Sequence, residues 1–182
     1  MIIKPDNEML SYSGRIDFDD RLAPVLVYAC SSIGMKFTGT SLKAVIANHR
    51  SCWTNELGYF IDGEQKRFTL SSDEEKKTYT LAEGLSEGTH ELLLFKRMDS
   101  CHTFTFYGFE IDDGAKVLPL PEKPKRKMEF FGDSVSCGEV SEAVEYVGKP
   151  DPEHDGEYSN SWYSYAWMTA RKLNAQIRYR HR

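Results

Sequence analysis

The sequence predicts a mostly β fold: an N-terminal jelly-roll β-sandwich followed by the first βαβ part of an α/β domain. Short apolar stretches alternate with turn signals up to about residue 118, and a proline-rich segment follows. The pattern then changes to strand, loop, helix and strand, which is typical of a parallel sheet. We therefore divide the chain into a sandwich at 1–118, a linker at 119–127 and the beginning of an α/β domain at 128–182.

The composition is that of an ordinary globular protein. The 182 residues are 40% hydrophobic with a net charge of −5, so a core can be buried and no basic footprint for nucleic acid is present. No secretion signal follows Met1, and no apolar run approaches the roughly 20 residues of a membrane span. The sequence therefore predicts a cytoplasmic protein without nucleic-acid or membrane partners, and it leaves the oligomeric state open.

Four cysteines are present, at positions 30, 52, 101 and 137. They form no CxxC pair, so the spacing predicts neither a zinc motif nor a redox motif. Without a secretion signal, we expect reduced thiols and no disulfide framework.

Apolar residues that alternate with small or polar ones predict the strands of the sandwich. The clearest cases are 33–37 and 42–46, which are typical of half-buried strands. The dipeptide Asp62-Gly63 is a strong hairpin signal between the predicted strands 58–61 and 67–70. Further strands are predicted at 25–28, 79–81, 89–97 and 103–111.

Pro119, Pro121 and Pro124 separate the two regions. Proline donates no backbone hydrogen bond and does not fit a central strand, so this segment is predicted to be a stiff linker. We interpret its basic run at 123–127 as a solvated stretch rather than as an anion-binding patch.

The region after the linker predicts one βαβ unit. An apolar strand is expected at 127–131, a polar loop at 139–158 and a second strand at 175–179. A helix is expected to begin near 159–161, where serine hydroxyls can cap it. Its shared face is predicted to consist of Trp162, Tyr165, Ala166, Thr169 and Leu173.

The run Gly132-Asp-Ser-Val-Ser-Cys-Gly138 follows the first of these strands directly. A serine hydroxyl attacks efficiently when a base takes its proton and when hydrogen-bond donors face the oxyanion. A tight turn at the carboxyl end of a parallel strand can present a serine in this way. We therefore predict that Ser134 is the catalytic nucleophile and that its main-chain N–H contributes to the oxyanion hole. The alternative is a structural turn, because turns favour these residue types.

This run resembles the first conserved block of SGNH (GDSL) hydrolases, and the whole chain resembles carbohydrate esterase family 2, which places a jelly roll before the SGNH domain. The resemblance implies a serine carboxylic-ester hydrolase that removes O-acetyl groups from xylan- or glucomannan-type polysaccharides or oligosaccharides. It implies no metal and no organic cofactor. The segments that carry it are Gly14-Arg15, Phe37-Thr-Gly-Thr-Ser-Leu42, Gly88-Thr-His-Glu-Leu-Leu-Leu-Phe-Lys-Arg97, Met128-Glu-Phe-Phe-Gly-Asp-Ser134 and Ala170-Arg-Lys-Leu-Asn-Ala175.

The resemblance also implies later blocks that this sequence does not contain. The 55 residues at 128–182 hold neither the second glycine block, nor a G-x-N-D segment, nor a late Asp-x-x-His. We therefore expect a chain truncated at its C-terminus and nearly inactive by itself. The glycine-aromatic-glycine that usually follows the cysteine in this family is also replaced, by Gly138-Glu139-Val140.

Other candidate residues are given structural roles. Asp151-Pro-Glu-His154 has the spacing of an Asp-x-x-His pair but lies in a polar loop, so we interpret it as solvated. Trp53 and Tyr59 could stack on a sugar, although packing is the favoured interpretation. Cys137 is expected to pack rather than react. The remaining histidines are expected to be structural or exposed: His49, His90, His102 and the terminal His181.

Two other functions are compatible with the sequence. One is a non-catalytic β-sandwich that binds carbohydrate or another partner. The other is an SGNH esterase or lipase that acts on a different acyl group. Binding without turnover distinguishes the first, and a profile of acyl-chain length distinguishes the second.

Overall fold

A computed structural model describes residues 1–181, with side chains as far as Arg180. Residues up to 118 form two six-stranded antiparallel sheets. The first sheet consists of β1 (Ile2–Ile3), β3 (Ile16–Asp17), β4 (Val25–Leu26), β6 (Leu42–Arg50), β9 (Lys77–Ala82) and β11 (His102–Ile111). The second consists of β2 (Ser11–Ser13), β5 (Ser32–Thr38), β7 (Glu56–Ile61), β8 (Glu64–Thr69), β10 (Thr89–Lys96) and β12 (Val117–Leu118). This arrangement confirms the predicted mostly β fold with an N-terminal sandwich.

The predicted hairpin joins β7 to β8. Asp62 and Gly63 have φ values of 52° and 85°, the two positive angles that a type I′ turn requires. The strand predicted at 25–28 is shorter, because the chain turns after Leu26. The N–H of Ser31 donates to the carbonyl of Tyr28 at 3.2 Å, which closes that turn.

Three phenylalanines of β11 lie at the centre of the sandwich core. Phe104 and Phe106 follow the period of two, whereas Phe109 comes three residues later, and all three are fully buried. A β-bulge between Phe106 and Gly108 takes up the extra residue and keeps these rings on the inner face. Gly108 is required there, because its φ is 129° and a Cβ atom would lie 2.4 Å from the carbonyl oxygen of Ile3.

The residues after the linker form the predicted βαβ unit. Its strands β13 (Arg126–Gly132) and β14 (Ala175–His181) pair in parallel, and the connection contains α1 (Ser134–Cys137) and α2 (Tyr165–Lys172). The linker is held at two points rather than free in solvent. The ammonium group of Lys123 contacts the carbonyl of Tyr12, and the amide of Gln176 donates to the carbonyl of Pro124 at 2.7 Å. The division at 118 and 127 stays a prediction.

The predicted start of the long helix is wrong. A 3-10 turn at Ser161–Tyr163 comes first, and then Ser164, with an extended backbone, caps α2 by accepting the N–H of Trp167 at 3.1 Å. The predicted buried face of the helix is also wrong in part. Tyr165 and Leu173 were expected on that face but are exposed. The buried residues of α2 are Ala166, Trp167 and Ala170. Within residues 1–181, neither helix has the length and apolar character needed to cross a membrane.

A second buried cluster joins the βαβ unit to the outside of the sandwich. The ring of Phe95, from β10, meets the ring of Trp167 edge to face, with centroids 5.3 Å apart. Phe95 also lies over Gly58, where a Cβ atom would come within 2.1 Å of the ring. The other buried members are Ala29, Cys30, Cys137, Ala166, Ala170, Ile177 and Tyr179. A two-stranded sheet is marginal alone, so this shared core is what stabilises it.

Arg97, directly after β10, links the two regions through a buried charge. It is 2% exposed, and its Nη2 lies 2.5 Å from Oε2 of Glu142. Glu142 also accepts the side-chain amide of Asn160 at 2.7 Å, and the backbone N–H of Asn160 donates to the carbonyl of Gly138 at 3.0 Å. A continuous hydrogen-bonded path therefore runs from the sandwich to the residue that ends α1.

We predict that Arg97→Met lowers the free energy of unfolding by about 3 kcal/mol, because it leaves the Glu142 carboxylate without its cation in a largely buried setting. Urea unfolding followed by tryptophan fluorescence measures this loss. The control is Arg67→Met, which removes ion pairs of an exposed arginine and should cost less than about 1 kcal/mol. Equal losses in the two variants would contradict the proposed role of Arg97.

His90 gives the sandwich a pH-dependent contribution to stability. Its Nδ1 lies 2.6 Å from Oδ2 of Asp62 and its Nε2 lies 2.9 Å from the carbonyl of Ser86, so both nitrogens face acceptors. The hydrogen bond with the Asp62 carboxylate raises the pKa of His90 above its ordinary 6.5. The stabilisation is therefore complete below pH 6.5 and is lost as the pH rises through the raised pKa.

We accordingly expect His90→Gln to destabilise the protein more below pH 6.5 than well above the raised pKa. Urea unfolding of both proteins across this pH range tests the prediction. A loss of stability that does not change with pH would show that the imidazolium form is not what Asp62 stabilises.

Candidate functional site

Ser134 lies where the parallel strand β13 ends and the short helix α1 begins. It is the first residue of α1 and is half-buried. A main-chain N–H at this helical position has no partner within the helix, so that of Ser134 is available to another acceptor. This is the predicted location at the carboxyl edge of a parallel strand. The roles of Ser134 as nucleophile and oxyanion donor stay predictions.

Gly132 permits this turn because α1 folds back onto the end of β13. A Cβ atom at position 132 would lie 2.2 Å from Oγ of Ser136. Ser136 is buried and its Oγ lies 2.8 Å from the hydroxyl of Tyr165, so it has little freedom to move aside. The first glycine of the run is therefore fixed by close approach.

Asp133 caps α1 and fastens it to the neighbouring strand. Its Oδ1 accepts the N–H of Val135 at 3.2 Å, which satisfies one of the free donors of the first turn. Its carbonyl accepts the hydroxyl of Tyr179, from β14, at 2.7 Å. The order Gly-Asp-Ser thus has a structural reason. The glycine leaves room for Ser136, the aspartate caps α1, and the serine then lies at the edge of the sheet.

Cys137 and Gly138 complete the turn. Cys137 is buried, and burial raises the pKa of its thiol to about 12, so it packs as expected and is protonated at neutral pH. Gly138 ends α1 with φ 81°, and a Cβ atom there would lie 2.6 Å from the carbonyl oxygen of Asn160. The second glycine is therefore fixed by the loop that precedes α2.

The departure from the family pattern lies directly after Gly138. Val140 has φ 52°, in the left-handed region where a β-branched residue is strained. The backbone here takes a conformation that favours glycine, although the sequence has valine. The N–H of Glu139 donates to the carbonyl of Ser134 at 3.1 Å, which keeps this segment close to α1.

His154 lies beside this segment and is exposed, which agrees with the interpretation of 151–154 as a solvated loop, but its side chain also has two partners. Its Nδ1 lies 2.9 Å from Oε1 of Glu139, and its ring stacks on Trp53 with centroids 5.7 Å apart. Trp53 is 40% exposed, so one of its surfaces faces solvent. Nothing in the local sequence signals these contacts, because Trp53 belongs to a different loop and Glu139 and His154 lie far apart within the loop at 139–158. Among the described side chains, His154 makes no hydrogen bond to Ser134.

The other aromatic and histidine candidates lie in the sandwich. Tyr59 is buried in its core and donates to the carbonyl of Leu81 at 2.9 Å, so the packing interpretation is confirmed. His49 lies 2.9 Å from Oγ1 of Thr105 through its Nε2. The side chain of His181 and the whole of Arg182 lie outside the described residues.

Three potential metal ligands meet at one end of the sandwich. Cys101 and His102 are neighbours in sequence, whereas Cys52 lies far from both. The donor atoms of Cys52, Cys101 and His102 all lie within 4.8 Å of one another. His102 is fully buried, and burial lowers its pKa to about 4, so its ring is neutral. The spacing rule predicted no metal motif because it considers only cysteines that are close in sequence.

The geometry around Ser134 can present a hydroxyl and a backbone N–H to one ligand at the edge of the parallel pair. Within the described side chains, no histidine hydrogen-bonds to the Ser134 hydroxyl. Proton removal from Ser134 therefore needs a base other than those that the described residues place beside it.

The family described as Carbohydrate esterase 2 N-terminal matches residues 12–121. The chain is 34% identical over 171 residues to the Cellulase/esterase CelE of Acetivibrio thermocellus, which covers 93% of this chain and 20% of that protein. It is 27% identical over 154 residues to an acetylxylan esterase / glucomannan deacetylase of Cellvibrio japonicus, which covers 81% of this chain and 41% of that protein.

A solved structure of a family two carbohydrate esterase from Clostridium thermocellum, in complex with cellohexaose, superposes with a TM-score of 0.83 and 30% identity. The superposition covers 94% of this chain and 50% of that chain. The chain therefore spans at most half the length of these three relatives. Because the family match spans more than half of its 182 residues, this chain belongs to carbohydrate esterase family 2, matched through the N-terminal domain of that family.

Proposed function

We propose that this chain carries the nucleophile of an esterase that removes O-acetyl groups from xylan- or glucomannan-type carbohydrates. The observation that carries the proposal is the position of Ser134, at the end of a parallel strand in a turn fixed by two glycines. The names of the related proteins, an acetylxylan esterase / glucomannan deacetylase among them, support the substrate class.

In the proposed reaction, Ser134 Oγ attacks the acetyl carbonyl while a general base takes the hydroxyl proton. The tetrahedral oxyanion accepts a hydrogen bond from the Ser134 N–H together with other donors. The sugar oxygen then leaves and takes the proton back from the base, which gives an acetyl-serine and a free sugar hydroxyl. Water hydrolyses the acetyl-serine to acetate by the same steps in reverse order.

The 182-residue chain by itself is expected to be nearly inactive. The described residues place no histidine within hydrogen-bond distance of Ser134, and removing the base of a serine hydrolase costs several orders of magnitude in kcat. Attachment of the hydrolase part of a relative would supply the missing groups.

A chimaera tests the nucleophile. Residues 1–182 are continued with the C-terminal part of the Cellvibrio japonicus relative, and aryl-acetate hydrolysis is measured. We expect acetate release that falls on the order of 10⁴-fold with Ser134→Ala, and a 182-residue chain that stays near the uncatalysed rate.

The matched control is Ser136→Ala, which removes a serine two positions away that bonds to Tyr165 and should retain most of the activity. Turnover that survives Ser134→Ala would exclude Ser134 as the nucleophile. Rapid, Ser134-dependent turnover by the 182-residue chain would show that it contains its own base. Faster hydrolysis of long acyl esters than of acetyl esters would favour an SGNH lipase instead.

A second function is carbohydrate binding without turnover. It is favoured by Trp53, whose ring is stacked against His154 on one side and is 40% exposed beside the α1 turn. An exposed, immobilised indole is a good platform for a sugar ring. The binding of cellohexaose by the Clostridium thermocellum relative agrees with a carbohydrate ligand.

We predict that the 182-residue chain binds cellohexaose and that Trp53→Ala weakens this binding about fivefold, because a stacking contact of about 1 kcal/mol is lost. Isothermal titration calorimetry measures the change. The control is Phe18→Ala, which removes another exposed aromatic side chain. Unchanged affinity in Trp53→Ala would exclude this ring as the platform.

A further inference from the structure

The connection between β6 and β7 and the connection between β10 and β11 meet at one end of the sandwich. The first carries Cys52 and the second carries Cys101, and His102 is the first residue of β11. Two thiol sulfurs and an imidazole nitrogen lie within 4.8 Å of one another. In a tetrahedral zinc site with Zn–S bonds of about 2.3 Å, neighbouring sulfurs lie about 3.8 Å apart. The three donors are therefore close to coordination distance before any ion is considered.

His102 supplies an independent reason to expect a ligand. Its side chain is fully buried, and among the described residues neither Nδ1 nor Nε2 has a hydrogen-bond partner. An unpaired polar group in the interior costs free energy comparable to a lost hydrogen bond, so such groups usually have a partner. A metal ion bound by one ring nitrogen would provide it. His49 and His90 differ, since each makes hydrogen bonds of its own.

We propose that Cys52, Cys101 and His102 form a binding site for a thiophilic divalent cation of the zinc class. Two thiolates and a neutral imidazole are the donor set that zinc prefers over hard cations such as Mg²⁺ or Ca²⁺. Binding deprotonates both thiols and releases the two protons to the solvent. The fourth ligand is an oxygen, from water or from Asp99, whose carboxylate hydrogen-bonds to the backbone N–H of Cys101 at 2.9 Å.

The charges around the site are compatible with a bound dication. Two thiolates neutralise the ion. The nearby ammonium of Lys96 is buried and is held by the carbonyls of Met98, at 2.8 Å, and Asp99. The Asp99 carboxylate offsets the charge of Lys96. Cys52 is exposed, which gives the ion a path from solvent.

The ion would immobilise the turn that carries Trp53. This residue follows Cys52, has φ 32°, and places its ring edge to face with His102 at a centroid distance of 6.4 Å. A bond from the metal to Cys52 would tie that turn to β11, which begins at His102. The bound metal would thus hold Trp53 in place. This role does not depend on the esterase activity proposed above.

The test uses the untagged 182-residue chain, reduced and kept under a non-thiol reductant. Zinc is titrated against a chromophoric chelator, and Co²⁺ is added separately to read the thiolate-to-cobalt charge-transfer absorption. We expect one ion per chain, a charge-transfer band, and a zinc-dependent rise in the unfolding midpoint.

Cys52→Ser and the double variant Cys52→Ser/Cys101→Ser should weaken zinc binding by about 100-fold or more. Both positions lie outside the buried core, so these variants should fold, which the unfolding midpoint without zinc verifies. Cys30→Ala, which removes a buried thiol elsewhere, is the matched control and should bind zinc as the unaltered chain does. Absence of stoichiometric binding to the reduced chain, or equal affinity in the double variant, would overturn the site.

Discussion

The buried contact between the sandwich and the βαβ unit is the constraint on which the rest of the structure depends. A sheet of only two parallel strands cannot bury its own apolar faces. In this chain, the cluster that contains Phe95 and Trp167 covers one of these faces. Arg97 adds a charged anchor with the carboxylate of Glu142. Because Glu142 and Gly138 share Asn160 as a partner, the sandwich also fixes the end of the serine turn. The sandwich therefore acts as part of the platform for Ser134.

The serine turn illustrates how a short motif can be explained by contacts rather than by chemistry alone. Gly132 and Gly138 are each required by an atom that a Cβ would strike, and Asp133 is required as a cap. Within the described part of the chain, no comparable contact of the Ser134 hydroxyl is seen, whereas Ser136, in the same run, hydrogen-bonds to Tyr165.

The sandwich contributes polar groups of two kinds. His90 has an acceptor at each ring nitrogen and stabilises the hairpin side of the fold. His102 is buried, has no hydrogen-bonding partner at either nitrogen among residues 1–180, and lies against two thiols. Burial is similar for the two rings, so the difference lies in their neighbours. The first arrangement has a structural explanation within the fold, whereas the second is explained by an additional ligand.

Periodicity and turn chemistry were sufficient to predict the longer sandwich strands, the Asp62-Gly63 hairpin and the placement of Ser134 after a parallel strand, because these depend on residues close in sequence, whereas the short strands β1, β2, β3 and β12 were not predicted. The predicted start of α2 was wrong because the residues near 159–161 begin only a 3-10 turn, which Asn160 caps, whereas Ser164 caps α2 itself. The pairing of His154 with Glu139, and the meeting of Cys52 with His102, were decided only by the tertiary structure. The first pair joins distant positions of one loop, and the second joins a loop to the start of β11, so only the folded chain sets these distances.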